Sequence, residues 1–233
     1  MQNSRESMDN ALQPWHALID GPLYADKDAP WRHDPAFAAV CEFPGLRDCI
    51  GGRIAEALTQ ALGLVRAVAQ IDMLSVVHTN VQPQGLCLGF GMNALEPYDL
   101  LQVFSLAQVH AYEWVGEHVV EAAQTLLAFA KKDDSLLTRV RLHHGTMSDL
   151  HALPDCSIQV VYVGNVFTHE VPMTPETFTR AVEEILRVLD DGGVLLSRGS
   201  SGALEAALRP AGKLLLYNPL VSVFQRQKGP ALL

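Results

Sequence analysis

The residues best spaced for binding chemistry run from Gly85 to Asn93, Gly-Leu-Cys-Leu-Gly-Phe-Gly-Met-Asn, with an acid, Glu113, further on. Gly89 and Gly91 allow close backbone approach to a ligand, and a helix starting behind them leaves its first amides free to meet it. A carboxylate offers two acceptor oxygens. Apolar strand, glycine turn, helix, second apolar strand and terminal acid together make the layout of a nucleotide cradle. A second candidate follows the apolar run Ile158 to Gly164: Asn165-Val166-Phe167-Thr168-His169-Glu170. His169 carries an imidazole that titrates near neutrality and is a candidate general base, and Asn165 is a candidate ligand contact. No metal site is expected. The four cysteines, Cys41, Cys49, Cys87 and Cys156, form no C-x-x-C pair, and Met173 stands where a zinc-protease motif beginning at His169-Glu170 needs its second histidine.

These groups depend on the elements that place them. Leu86 to Leu88 reads as a short buried strand, and Pro97 opens a helix to about Leu106. Gln108 to Tyr112 is a second strand, about Val115 to Lys131 an amphipathic helix, and Val140 to His144 a third strand. The near-continuous apolar run from Ile158 is expected of a central parallel strand covered on both faces. Thr174-Pro175-Glu176 starts a helix with a hydroxyl cap, a proline and an acid, and Gly192-Gly193 is expected to end it. A fifth strand at Val194 to Ser197 and a short helix near Ala203 to Leu208 follow. Two closing runs, Leu214 to Tyr217 and Val221 to Gln225, flank a turn at Asn218-Pro219.

The expected fold is therefore α/β: a Rossmann-like three-layer sandwich whose seven-stranded, mostly parallel sheet ends in an antiparallel hairpin. Ahead of it, Leu46 to Val77 repeats apolar residues at three and four, giving an amphipathic helix with a break expected near Gly63. That divides the chain into an N-terminal helical arm or lid, 1–80, and a Rossmann-like domain, 81–233. Tyr24, Trp31 and His33 in the arm are candidates to line a substrate pocket or to pack on the sheet. The helix before Asn80 is a candidate homodimer face.

The 233 residues are 48% hydrophobic, a globular composition, and no apolar run reaches the roughly 18 residues of a membrane span. A polar N-terminus without a signal-peptide apolar block points to the cytoplasm. A net charge of −9, with basic residues scattered, argues against a nucleic-acid footprint. A small-molecule partner is expected, with neither nucleic acid nor membrane.

The motifs resemble, in order and at the strand ends, those of a class I S-adenosylmethionine-dependent methyltransferase of the small-molecule branch. The matching pieces are Leu88-Gly89-Phe90-Gly91, Ala111-Tyr112-Glu113, Gly145-Thr146-Met147, Pro154-Asp155-Cys156-Ser157-Ile158-Gln159-Val160-Val161 and Arg187-Val188-Leu189-Asp190-Asp191-Gly192-Gly193. The resemblance covers about Gly85 to Gln225. It implies S-adenosylmethionine as cofactor and methyl transfer to a small-molecule acceptor. By the same resemblance, Gly89, Phe90 and Gly91 lie against the methionine part of the cofactor, and Glu113 takes both ribose hydroxyls. Trp114 covers the adenine, and Thr146 and Met147 flank its edge. Their place after the fourth strand, not the resemblance, makes Asn165 a candidate contact to cofactor or substrate and His169 a candidate base.

Three positions depart from the family pattern. Cys87 stands where an acid two residues before the first glycine is usual, and Asn93 takes the third glycine's place. Thr146 replaces the acid after strand three, for which Asp149 is a substitute. These departures motivate a first alternative, a degenerate, non-catalytic binding or scaffold protein on the same fold. A further alternative is an NAD-dependent oxidoreductase. Ala94 meets the looser G-x-G-x-x-A form, but that fold has no terminal hairpin.

Overall fold

The computed structural model describes residues 19–20, 54–91, 95–131, 133–167, 173–199, 202–217 and 221–227. The strands are β1 (Ile19–Asp20), β2 (Gln84–Leu88), β3 (Gln108–Glu113), β4 (Val140–His144), β5 (Ile158–Gly164), β6 (Leu189–Arg198), β7 (Gly212–Leu216) and β8 (Ser222–Arg226). The helices are α1 (Ala55–Ala69), α2 (Met73–Val77), α3 (Glu96–Val103), α4 (Gly116–Ala130), α5 (Leu136–Arg139), α6 (Pro175–Val188) and α7 (Gly202–Leu208).

All the strands form one sheet in the order β1-β4-β3-β2-β5-β6-β8-β7. Pairing is parallel as far as β6, whereas β8 runs antiparallel to both β6 and β7. The expected Rossmann-like sandwich and its closing hairpin are present, and the hairpin separates this sheet from the dinucleotide-binding alternative. The two-residue strand β1 adds to the seven expected strands; its sequence carries no periodicity that would announce it.

The chain order reverses direction across the sheet at β2, from which one half winds through β3 and β4 and the other through β5 and β6. Ligand crevices of open α/β sheets form at such a switch point, beyond the carboxyl ends of the strands. Alternation along the strands builds a core on each face. Cys87, Val109, Ala111, Val160, Tyr162, Val194 and Leu196 face α1 to α5. Leu86, Leu88, Val161, Val163 and Leu195 face α6 and α7. Residues Ile158 to Val163 are all buried, as a strand covered on both faces requires.

Two expectations need correction. Helix α1 passes through Gly63 unbroken, and the break falls at Gln70, which ends it in a left-handed turn (φ 58°). Asp72 then restarts the chain as α2 by accepting the Leu74 amide at 3.1 Å. The second concerns Gly192-Gly193. Helix α6 stops at Val188, and these glycines lie within β6, where the register against β5 shifts. The Thr174 cap is as read: its hydroxyl accepts the Thr177 amide at 3.2 Å.

Residue 80 is not a break in packing. Leu58, Ala61 and Val65 of α1 and Met73 and Val77 of α2 are at most 2% exposed and share a core with the sheet. The buried Asp99 of α3 caps α1 from a distance, its Oδ2 accepting the Ile54 amide at 2.8 Å and the Ala55 amide at 3.2 Å. A carboxylate at a helix N-terminus also suits the helix dipole.

Candidate functional site

Strand β2 ends in two left-handed glycines, Gly89 (φ 64°) and Gly91 (φ 54°). Their turn is tied to the neighbouring strand ends. The Gly89 amide donates to the Tyr112 carbonyl at 2.8 Å, and the Gly145 amide to the Glu113 carbonyl at 3.1 Å. The ends of β2, β3 and β4 are thereby held side by side. A Cβ on Gly89 would lie 2.5 Å from Val166 Cγ2 and 3.6 Å from Met147 Cε. The turns after β4 and β5 therefore close over the glycine turn, and only a residue without a side chain fits beneath them.

Glu113 is 2% exposed. Its Oε2 accepts the Gly91 amide at 2.7 Å and its Oε1 the Val115 amide at 2.9 Å. His118 Nδ1, from the first turn of α4, stands 3.8 Å from Oε1. Each carboxylate oxygen keeps acceptor capacity beyond its one amide, so a diol can be added without breaking either bond. Gly89, Gly91, Glu113 and Met147 thus come together, with Asn165 beside Val166 at the rim. Asn165 is itself left-handed (φ 57°), and its amide donates to the Arg198 carbonyl at 2.9 Å.

Other candidates are placed differently. Phe90 is 1% exposed and packs in the core, so it offers a ligand only its backbone. Trp114 is partly exposed, and its carbonyl lies 3.1 Å from His144 Nε2. The Thr146 hydroxyl is engaged locally, 3.0 Å from Ser148 Oγ. Asp149 is exposed and pairs with His151 Nδ1 at 2.7 Å, and that contact, more than any other, holds its carboxyl below the usual range. With Thr146 it lines an open polar groove of about 650 Å³, whose far wall is Arg180, Glu183, Glu184 and Arg187; Gly89 and Glu113 do not border it. His169, Asn93, Ala94, Tyr24, Trp31 and His33 lie outside the described residues.

Besides Glu113 and Asp99 there is a further buried carboxylate. Glu96, in the first turn of α3, is 5% exposed. A Cβ placed on Gly164, at the end of β5, would lie 3.2 and 3.3 Å from its two oxygens and 3.0 Å from Tyr162 Oη. Cys87 is fully buried. Burial first, then the charges of Glu96, Glu113 and Asp99, push its thiol well up, so it is neutral. Burial and Glu96 likewise raise the Tyr162 hydroxyl. The carboxylate at the boundary of β2 and β5 is therefore supplied by α3 rather than by β2. An acid in a first helical turn is an ordinary dipole partner in sequence, and nothing local marks this one as turned inward.

Two further polar clusters frame the site. On the face shared with α6, Tyr112 stacks on His143 with ring centres 4.2 Å apart, and His143 Nε2 lies 2.9 Å from His110 Nδ1. Burial, with Arg141 assisting, lowers the His110 imidazole to about 4. Arg187 donates to the Leu150 and Leu153 carbonyls (2.9 Å each), to Asp155 (2.6 Å) and to Glu184 (2.7 and 2.8 Å), fastening the β4–β5 connection to α6. Among the described residues no group of three or more His, Cys, Asp or Glu is placed to hold a metal, and no helix is long and apolar enough to cross a membrane.

Residues 86–197 match the family model described as a methyltransferase domain. No curated protein matches the chain. Among solved structures, similarity extends to YcgJ from Bacillus subtilis, with 23% identity, 60% of this chain and 50% of that one covered, and a TM-score of 0.40. The chain thus spans half of that protein. The [4+2]-cyclase SpnF is similar at 22% identity, with 64% of this chain and 57% of that one covered and a TM-score of 0.43. SMU.1697c from Streptococcus mutans, solved in complex with SAH, is similar at 14% identity, with 66% of this chain and 94% of that one covered and a TM-score of 0.45.

Proposed function

We propose, from the premise that residues 86–197 form a class I S-adenosylmethionine-dependent methyltransferase domain, that this chain transfers a methyl group to a small-molecule acceptor. The observation carrying this reading is the buried Glu113 carboxylate bonded to the Gly91 amide at the switch point of the sheet.

The residues present fit the cofactor. Glu113 holds the ribose diol with its remaining lone pairs, and Gly89 and Gly91 leave the backbone open to the methionine part. Met147 and Thr146 border the adenine edge, with Trp114 over its face. Bound there, S-adenosylmethionine supplies a methyl group activated on a sulfonium. The chain's own task is to orient the acceptor in line and to remove its proton. His169 is the proposed base and Asn165 the proposed orienting amide. Two buried carboxylates, Glu96 and Glu113, give the crevice a negative potential that favours a cationic ligand over a dinucleotide.

The net charge of −9 supports a small acceptor rather than nucleic acid, and a cytoplasmic, membrane-free protein remains part of this reading. A homodimer through α1 would use the side of that helix carrying Leu64 (40% exposed) and Val68 (68%).

One rival has a specific basis. Cys87 and the locally bonded Thr146 hydroxyl each remove a contact the family usually makes, which suits a binding protein that no longer transfers methyl groups. Calorimetry separates the cases. Saturable binding of S-adenosylhomocysteine, together with labelled methyl transfer to an acceptor pool that is lost in His169→Gln, supports the enzyme. Binding without transfer supports the rival, and absence of any adenosyl ligand binding sinks both.

A further inference from the structure

A small cavity lies under α7, away from the glycine turn. Its floor is two cross-strand pairs on one face of the sheet: Leu195 opposite Phe224, and Ser197 opposite Ser222. Its roof is Leu204 and Leu208, one helical turn apart, with Glu205 between them. The volume is about 70 Å³. A water needs about 10–15 Å³ measured this way, so the space suits a chain of about five heavy atoms.

Two residues that line it carry a buried oxygen with no hydrogen-bond partner among the described residues: Ser197 Oγ, on a residue 4% exposed, and Oε1 of Glu205. Buried polar atoms are ordinarily satisfied, and one left over asks for an explanation. Both atoms accept hydrogen bonds, and one belongs to a carboxylate. The other charged group at the cavity, Arg209, is exposed to water and has no comparable need. A fitting ligand therefore has an apolar body and a cationic donor head.

We propose that this cavity binds a short primary alkylammonium ion, its chain on Leu195 and Phe224 and its head donating to Glu205 and Ser197. An ammonium group supplies three donors and neutralises the carboxylate, whereas an alcohol supplies one donor and no charge. Ser197 stands opposite Val163 at the same end of the sheet as the glycine turn, with β5 lying between β6 and β2. Glu113 ends β3, three strand spacings or about 14 Å from β6, so this site is separate from it and does not rest on the methyl-transfer reading.

The test titrates the full chain with n-butylammonium chloride, n-butanol and sodium butyrate, followed by amide chemical shifts and calorimetry. The expected result is saturable butylammonium binding that shifts amides of β6 and α7, at least tenfold weaker binding of butanol, and none of butyrate. Glu205→Gln is expected to weaken butylammonium at least tenfold. Ser197→Val, which fills the space and removes the hydroxyl, is expected to abolish it with the circular dichroism unchanged. No saturable butylammonium binding, equal binding of butanol or butyrate, or an unchanged affinity in Glu205→Gln would each overturn the proposal. Glu205 is only partly buried on a helix, so its variant keeps the test decisive even if Ser197→Val does not fold.

Discussion

The carboxylate of Glu113 accepts the Gly91 amide at 2.7 Å, so the acid that ends one strand also fixes the turn that follows its neighbour. In the proposed function, ligand contact and turn geometry are thereby one feature. Replacing Glu113 by Ala strips two amides of their acceptor in a buried setting, and hydrogen bonds to charged groups contribute about 1.5–3 kcal/mol each. A loss of about 3 kcal/mol in urea unfolding is expected, with at least a tenfold loss of S-adenosylhomocysteine affinity. Glu113→Gln keeps one acceptor oxygen and is expected to fall between. If Glu113→Ala unfolds at the wild-type urea midpoint, the turn does not depend on this bond.

Gly89 and Gly91 look alike in sequence but not in space. Both are left-handed, which costs another residue about 1–2 kcal/mol. Only Gly89 is crowded: its Cβ would meet Val166 Cγ2 at 2.5 Å, while nothing lies within 4 Å of one on Gly91. Gly91→Ala is expected to cost about 1 kcal/mol, and Gly89→Ala about 2 kcal/mol more, from overpacking. Adding Val166→Ala should return part of the second loss. Equal urea midpoints for the two single variants would refute the crowding.

The contrast explains what the sequence could and could not disclose. Periodicity and turn chemistry placed β2 to β5, β7, β8 and α3, α4, α6 and α7 within a few residues, because each of those signals is local, whereas β6 starts five residues before its expected Val194. Glu113 was readable because its distance from the glycine turn is set by one helix and one strand. Asp99 capping α1 and Glu96 reaching Gly164 were not readable, because each contact joins residues distant in the chain. The packing of α1 on the sheet across the Pro83 linker is a contact of the same long-range kind.

His110 gives a pH dependence with a definite sign. Unfolded, its imidazole takes a proton near 6.5; folded, it stays neutral until about 4. Between those values the unfolded chain binds more protons, so stability rises with pH and is lost as pH falls through the window. The full shift corresponds to about 3 kcal/mol. Denaturant unfolding at pH 7 and pH 4.5 should show most of that loss. His110→Gln, which does not titrate, should flatten the slope; an unchanged slope would assign it to other groups.

Arg187 should behave as a joint rather than a surface charge. Its guanidinium serves two carbonyls and two carboxylates at once. Lysine keeps the charge but cannot reproduce the fork. Arg187→Lys is expected to cost about 2 kcal/mol, since the Leu150 and Leu153 carbonyls lose a planar donor. If the lysine variant matches wild type in thermal unfolding, charge alone suffices there.

Cys87 and Glu96 form the sharpest test of how this crevice is built. The family pattern puts an acid at 87, and the simplest view is that its loss weakens the site. The geometry argues otherwise, because Glu96, Glu113 and Asp99 already act on the Cys87 thiol and Glu96 occupies the β2–β5 boundary. Restoring the acid as Cys87→Asp would bury a further carboxyl at 0% exposure among three others. Like charges in a desolvated cluster cannot all stay ionised, so the new group is expected to remain protonated and the variant to lose about 2–4 kcal/mol. Removing the resident charge with Glu96→Gln should recover about half of that, a coupling that a double-mutant cycle reads directly. In S-adenosylhomocysteine titrations Glu96→Gln alone should weaken binding, and Cys87→Asp should strengthen it only in the Glu96→Gln background. Additive effects in both measurements would mean that the two positions are independent and that the departure at Cys87 is a plain loss.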